Sequence, residues 1–143
     1  MAIQPERIKT LFKTLKGKRI LVVGDVMIDR YLRGAVKRIS PEAPVPVVEM
    51  ESESYHFGGA ANVALNLKAL GCEPLSLGLL GQDHNANIFL NLIEEAGLDG
   101  SGFIQTNDRP TTIKTRIIGD NQHMVRIDHE QINYGNKRME QEL

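Results

Sequence analysis

The run Gly58-Gly59-Ala60-Ala61-Asn62-Val63-Ala64, with Gly71 and Gly81 downstream, is the part of this chain best suited to hold a ligand. Paired glycines ahead of a helix let a bound molecule approach the backbone, because no Cβ intervenes. The first N–H groups of the helix lack intrahelical partners and point outward toward a polar or anionic group. Asn62, on the first turn, adds a carbonyl acceptor and two N–H donors. The bland alternative is a helix start that needs glycine only for its geometry. Upstream, Asp25 and Asp29 fall at and beyond the C-terminal end of the apolar run 19–24, where open α/β sheets bind ligands. A carboxylate there can accept hydrogen bonds from two adjacent hydroxyls. Asp29 could equally cap or solvate a loop, and Asp25 could satisfy backbone N–H groups in the turn. Lys114 and Arg116 share parity on a predicted strand and project from one face. Such a pair can hold a phosphate, or can form the charged face of an edge strand that resists aggregation. Arg30, Arg38 and Arg126 carry the same ambiguity.

These residues need elements to position them. Residues 4–16 read as an amphipathic helix, with Pro5 in its first turn and Ile8, Leu11, Phe12 and Leu15 at helical spacing. Gly17 ends it. The run 19–24 is continuously apolar, as in a central parallel strand buried on both faces. Residues 31–57 change character. Pro41, Pro44 and Pro46 punctuate them, and 45–50 and 52–57 read as two short strands of a small β-layer standing off the main sheet. A helix over 60–70, a second buried strand over 74–81 and a helix over 85–96 follow. Ile88, Phe89, Leu92, Ile93 and Ala96 share one face of that last helix, Asp83 or Asn85 suits its N-cap, and Gly97 its end. Residues 103–106 form a short strand. Residues 111–119 and 123–128 form a hairpin about Asp120-Asn121. The last 14 residues are polar and at most open a helix. The strand–helix rhythm predicts an α/β fold with right-handed crossovers.

Bulk properties exclude several classes. A chain of 143 residues, 41% hydrophobic, is one domain with a real core. A formal net charge of −1 offers no basic face to nucleic acid. No stretch approaches the roughly 20 apolar residues of a membrane span, and the N-terminal residues carry no apolar signal-peptide core. Cys72 is the single cysteine, so no intrachain disulfide forms and a reducing cytoplasm fits. Beside an apolar strand it reads as a small buried hydrophobe rather than a nucleophile. His56, His84, His123 and His129 show no metal-ligand spacing. Neither GxxxxGK[ST] nor a GxGxxG after the first strand occurs, which excludes a P-loop kinase and leaves Rossmann-type dinucleotide binding unsupported.

Gly59, Asn62, Ala64, Gly71 and Gly81 fill, without a gap over 23 residues, a pattern that resembles the N-terminal signature of the ribokinase-like (phosphofructokinase-B) sugar kinases. The segments 20–31, 38–50 and 109–128 resemble most closely the kinase domain of the bacterial heptose-7-phosphate kinase/adenylyltransferases. The resemblance covers about residues 10–130. It implies the N-terminal half of a ribokinase-like, Rossmann-like three-layer fold with a protruding β-strand lid. Segments of about 31–57 and 111–128 would pair to form the lid, which closes over the sugar and often makes a dimer contact. It also implies ATP and Mg²⁺ as cofactors, a small sugar phosphate as substrate, and Asp29, Gly58, Gly59 and Asn62 as sugar contacts; Asp25, Lys114 and Arg116 join them as candidate substrate contacts by position alone, with the alternatives given above. The expected reaction is phosphorylation of D-glycero-D-manno-heptose 7-phosphate at O1, on the way to ADP-heptose for the lipopolysaccharide core.

The family's phosphoryl transfer relies on a C-terminal Gly-x-Gly-Asp segment that supplies the anion hole and the base. Here Gly24-Asp25 and Gly119-Asp120 lack both the preceding glycine and a following helix. No catalytic residue is therefore expected in this chain, which reads as a fragment lacking the ATP-binding half and inactive alone. The alternatives are a subunit of a split enzyme, a non-catalytic sugar-binding or dimerisation module, or a piece of a kinase for another sugar. An open edge on a truncated parallel sheet would leave the isolated chain marginal or associated, either as a homodimer through the lid or with a missing half.

Overall fold

The computed structural model describes residues 4–131. The expected helix start near the C-terminus therefore lies mostly outside the described residues. The chain runs α1 (Pro5–Leu15), β1 (Arg19–Val23), β2 (Val26–Ile39), β3 (Pro46–Gly58), α2 (Gly59–Ala69), β4 (Glu73–Gly81), α3 (His84–Glu95), β5 (Phe103–Thr106), β6 (Ile113–Gly119) and β7 (Gln122–His129). Two sheets result. One is parallel, in the order β1-β4-β5, and the other is mixed, in the order β3-β2-β6-β7. The two segments expected to form a lid do pair, because β2 runs parallel to β6 from Ile28 opposite Ile113 to Gly34 opposite Gly119.

One core spans both sheets. Ala61, Ala64, Ala86, Phe89, Leu80, Ile28 and Val26 are all but sealed from solvent, and they belong to one cluster with Phe57, Ile93 and Ile113. Small side chains on α2 let its axis lie close to the strands. Phe89 on α3 meets Phe57 of β3 and Phe103 of β5 edge-on, with centroids 5.6 and 5.1 Å away. One ring thus joins the lid sheet to the parallel sheet.

Several elements differ from expectation. Residues 46–58 form a single strand, not two, and β2 is a 14-residue strand that begins well before residue 31. The prolines do not break these strands, since Pro41 and Pro44 lie in the turn between them and Pro46 opens β3. The alternation of β2 is hidden by Arg30, which sits on its apolar face. Glu53 neutralises it there, with the Arg30 Nε to Glu53 Oε1 distance at 2.5 Å, and the Tyr55 hydroxyl donates to the same carboxylate at 2.7 Å. β1 is not buried on both faces. It pairs only with β4 among the described strands, and Leu21 and Val23 stand 58% and 63% exposed. The apolar stripe of α1 is likewise half exposed, with no buried residue in that helix. β1 is an edge strand among the described strands of the parallel sheet. The hairpin, by contrast, is as expected. Asp120 and Asn121 both take positive φ, the type I′ requirement. Cys72 is buried, with its thiol near the Leu15 carbonyl.

Asp83 is the N-cap of α3, receiving the Ala86 N–H at 2.8 Å on Oδ1. Its other oxygen, Oδ2, receives the Thr111 N–H at 2.7 Å. One carboxylate thereby staples the loop before β6 to the start of a helix. Burial would raise its pKa, but the backbone donors of Thr111 and Ala86 outweigh burial and hold it below the usual carboxylate range. Its stabilisation is therefore full above the ordinary carboxylate pKa and fades as pH falls through the depressed value. Asp83→Ala is expected to cost about 1–2 kcal/mol at neutral pH. That deficit should shrink on acidification below the ordinary carboxylate range, as read by urea unfolding at a series of pH values. A deficit independent of pH would contradict the staple. Among the described residues, no helix is long and apolar enough to cross a membrane.

Candidate sugar site

Asp29 lies within β2 rather than in a loop, opposite His56 of β3 and beside Lys114 of β6. Its carboxylate is half-buried. Arg116 donates to Oδ1, and that carboxylate in turn raises the Arg116 pKa, with burial opposing it. The other oxygen lies over Gly58, where an added Cβ would come within 3.2 Å of Asp29 Oδ2 and 2.6 Å of Met27 Cγ. Gly58 is thus the residue that lets the carboxylate approach the entry to α2. Gly59 follows with φ +58°, and a Cβ there would stand 2.2 Å from the Asp25 carbonyl oxygen. No side chain other than glycine fits without moving the β1–β2 turn. The Ala60 N–H donates to that same carbonyl at 2.9 Å. Gly58, as N-cap, supplies no side-chain cap to α2, so the first turn keeps N–H groups for a ligand. Asn62 is exposed on that turn.

The structure therefore brings Asp25, Asp29, Gly58, Gly59 and Asn62 around one place, the junction of β1, β2 and the N-terminus of α2. Lys114 and Arg116 do share a strand face, but β6 is an inner strand between β2 and β7, not an edge. Their charges are met by neighbours rather than by solvent alone. Lys114 Nζ lies 3.6 Å from Asp128 and 3.4 Å from Glu130, and Arg116 is paired with Asp29. Arg126, which holds Asp128 at 2.8 Å, lowers that carboxyl's pKa, with Lys114 adding to the effect. Arg38 remains exposed on the far part of β2.

Sequence reasoning passed over two residues here. Tyr31 stands two positions from Asp29 on the same face of β2, edge-on to His56 at 5.4 Å, with the Arg116 guanidinium over its ring at 5.3 Å. Arg109, in the loop before β6, reaches toward Asp25 with 3.7 Å between Nη1 and Oδ1. No sequence pattern marked it. Among the described residues, no three His, Cys, Asp or Glu side chains gather to hold a metal ion.

Comparison with known proteins identifies the family and the fold. Residues 18–143 match the family described as pfkB family carbohydrate kinase. The bifunctional protein HldE of Magnetococcus marinus is 49% identical over 113 residues, covering 79% of this chain and 23% of that protein. HldE of Methylobacillus flagellatus is 52% identical over 111 residues, covering 78% and 23%. The chain thus spans under a quarter of the length of these curated relatives. Among solved structures, a carbohydrate kinase from Agrobacterium tumefaciens superposes with a TM-score of 0.62 at 28% identity, over 78% of this chain and 35% of that one. Arabidopsis thaliana ribokinase, solved with ribose and ATP, superposes with a TM-score of 0.60 at 19% identity, over 79% and 36%. The second likeness shows the fold alone. The architecture is the α/β three-layer ribokinase-like fold with protruding strands.

Proposed function

The chain belongs to the pfkB family of carbohydrate kinases, and from that premise we propose that it forms the sugar-holding wall and lid of a heptose 7-phosphate kinase. The parent reaction is ATP-dependent phosphorylation of D-glycero-β-D-manno-heptose 7-phosphate at O1, in the supply of ADP-heptose for lipopolysaccharide core. The carrying observation is the placement of Asp29, with Oδ1 held by Arg116 and Oδ2 set against the Gly58 backbone. An oriented carboxylate at a glycine-lined helix start accepts two adjacent hydroxyls and fixes the sugar for in-line attack. Gly59 and Asn62 line the same entrance, and Asp25 borders it. Lys114 would reach a substrate phosphate by exchanging Asp128 and Glu130, while Arg116 stays on Asp29 at the border of the site. Lid strands folding down over the sugar would exclude water from the transfer.

Kinases of this family use ATP and Mg²⁺. The described residues do not fit a magnesium ion, as no cluster of ligating side chains forms, and the sequence holds no Gly-x-Gly-Asp segment. The residues here bind and orient the acceptor, and the chain alone is proposed to be inactive in transfer. The substrate assignment is tested by competition calorimetry of the chain against heptose 7-phosphate, ribose 5-phosphate and fructose 6-phosphate. Preference for the heptose supports it, and preference for either other sugar moves the assignment to that sugar.

The lid also supplies a partner. Leu32, Val45, Val48, Met50, Ile117 and Val125 line a depression of about 580 Å³ on its apolar face. Met50 and Val45 are 64% and 52% exposed. A patch drawn from all four lid strands suits a twofold contact with the same patch of a second copy. Met50→Lys is expected to convert a dimer to a monomer in sedimentation velocity at micromolar concentration. A wild-type chain that stays monomeric would contradict the contact.

A further inference from the structure

Among the described residues, Arg109 is a largely buried cation whose charge is met only loosely. Its side chain is only 13% exposed, and its Nε is sealed from solvent without a hydrogen-bond partner. Nη2 donates to Thr112 Oγ1 at 3.2 Å, a neutral acceptor. The carboxylate paired with it, Asp25, stands 3.7 Å away, beyond hydrogen-bond distance, and is 80% exposed. The other cations around the site differ. Arg116 is bound to Asp29, and Lys114 lies between two carboxylates. A guanidinium withdrawn from water is costly unless an anion compensates it.

The loop around Arg109 is built rather than loose. Asp83 fixes the Thr111 N–H, the Thr111 hydroxyl receives the Gly81 N–H at 2.9 Å, and the Thr112 carbonyl receives the Ile28 N–H at 3.0 Å. A Cβ at Gly81 would stand 2.8 Å from the Arg109 carbonyl oxygen. The guanidinium is thereby held next to Asp25, whose own carbonyl seats the start of α2. Arg109 and the first turn of α2 are thus linked through one residue, the guanidinium to the Asp25 side chain and the helix start to its carbonyl.

We propose that Arg109 is a phosphoryl-binding residue of the sugar site, its guanidinium exchanging the distant Asp25 carboxylate for a phosphate oxygen of the ligand. The inference rests on the sugar-site reading above. A guanidinium binds a phosphate through paired N–H donors, and it needs no existing close ion pair to break, unlike Lys114 or Arg116. The phosphoryl group belongs either to the phosphosugar or to the nucleotide.

The test is calorimetry of the full 143-residue chain and its Arg109→Gln and Arg109→Lys variants. The probes are heptose 7-phosphate, the same heptose without phosphate, and ATP. Arg109→Gln is expected to weaken heptose 7-phosphate at least about tenfold, as for loss of one charge-assisted bond. Neutral heptose should keep its affinity, and Arg109→Lys should restore part of the loss. A loss confined to ATP supports the phosphoryl role and assigns the group to the nucleotide. Equal weakening of both sugars, or no change in any ligand, overturns the role while leaving the sugar site standing. A folded wild-type chain that binds neither sugar overturns the sugar site and this role with it.

Discussion

Asp29→Ala is expected to lower sugar affinity by about 100-fold or more. The wild-type carboxylate is proposed to accept two hydroxyl hydrogen bonds, and bonds to a charged acceptor contribute about 1.5–3 kcal/mol each. About 1.4 kcal/mol corresponds to tenfold in Kd. The substitution has a second consequence. Arg116 loses the carboxylate that holds it, and its guanidinium is left beside the Tyr31 ring. Asp29→Asn separates the two effects, because the amide keeps the shape and an acceptor oxygen but not the charge. It should bind sugar better than Asp29→Ala and worse than wild type. Calorimetric affinities that do not depend on residue 29 would remove Asp29 from the site.

Phe89→Ala is expected to be the most destabilising single truncation in the described core. The ring is fully buried, and it bridges Phe57 of the lid sheet and Phe103 of the parallel sheet. Removal of a buried phenyl group costs about 3–5 kcal/mol through lost burial and the cavity left behind. Whole domains are stable by only about 5–15 kcal/mol. In urea the unfolding midpoint should fall by a large fraction of its wild-type value. A loss under about 1 kcal/mol would mean that the two sheets do not share a core through this ring.

Much of this architecture was legible in the sequence, for local reasons. The glycine signals at Gly17, Gly71 and Gly97 ended the three helices, and all three residues have positive φ. Asp83 was one of two candidate caps and is the one used. Asp120-Asn121 announced the hairpin, since both can adopt the left-handed conformation that its turn demands. Long-range compensation was harder to read. Arg30 disguised the alternation of β2 because its partner, Glu53, lies on the neighbouring strand. Lys114 and Arg116 looked like free cations because Asp29, Asp128 and Glu130 reach them only through strand pairing. The exposed face of β1 could not be inferred from an apolar run, because such a run states what a strand can bury, not what covers it. Of the proposed site, Asp29 and the Gly58–Asn62 run were singled out by pattern and resemblance, and the structure sets Asp29 beside Gly58. Tyr31 and Arg109 were not singled out, since each gains its meaning from a neighbour distant in sequence.

The central claim is that the entrance to α2, faced by Asp29, holds a sugar phosphate. An ¹⁵N-edited NMR titration of the chain with heptose 7-phosphate tests it residue by residue. The account predicts saturable shifts at the amides of Gly58, Gly59, Asn62 and Asp29, with β7 and α1 unmoved. Saturable shifts centred elsewhere, or none in a well-dispersed spectrum, would contradict it.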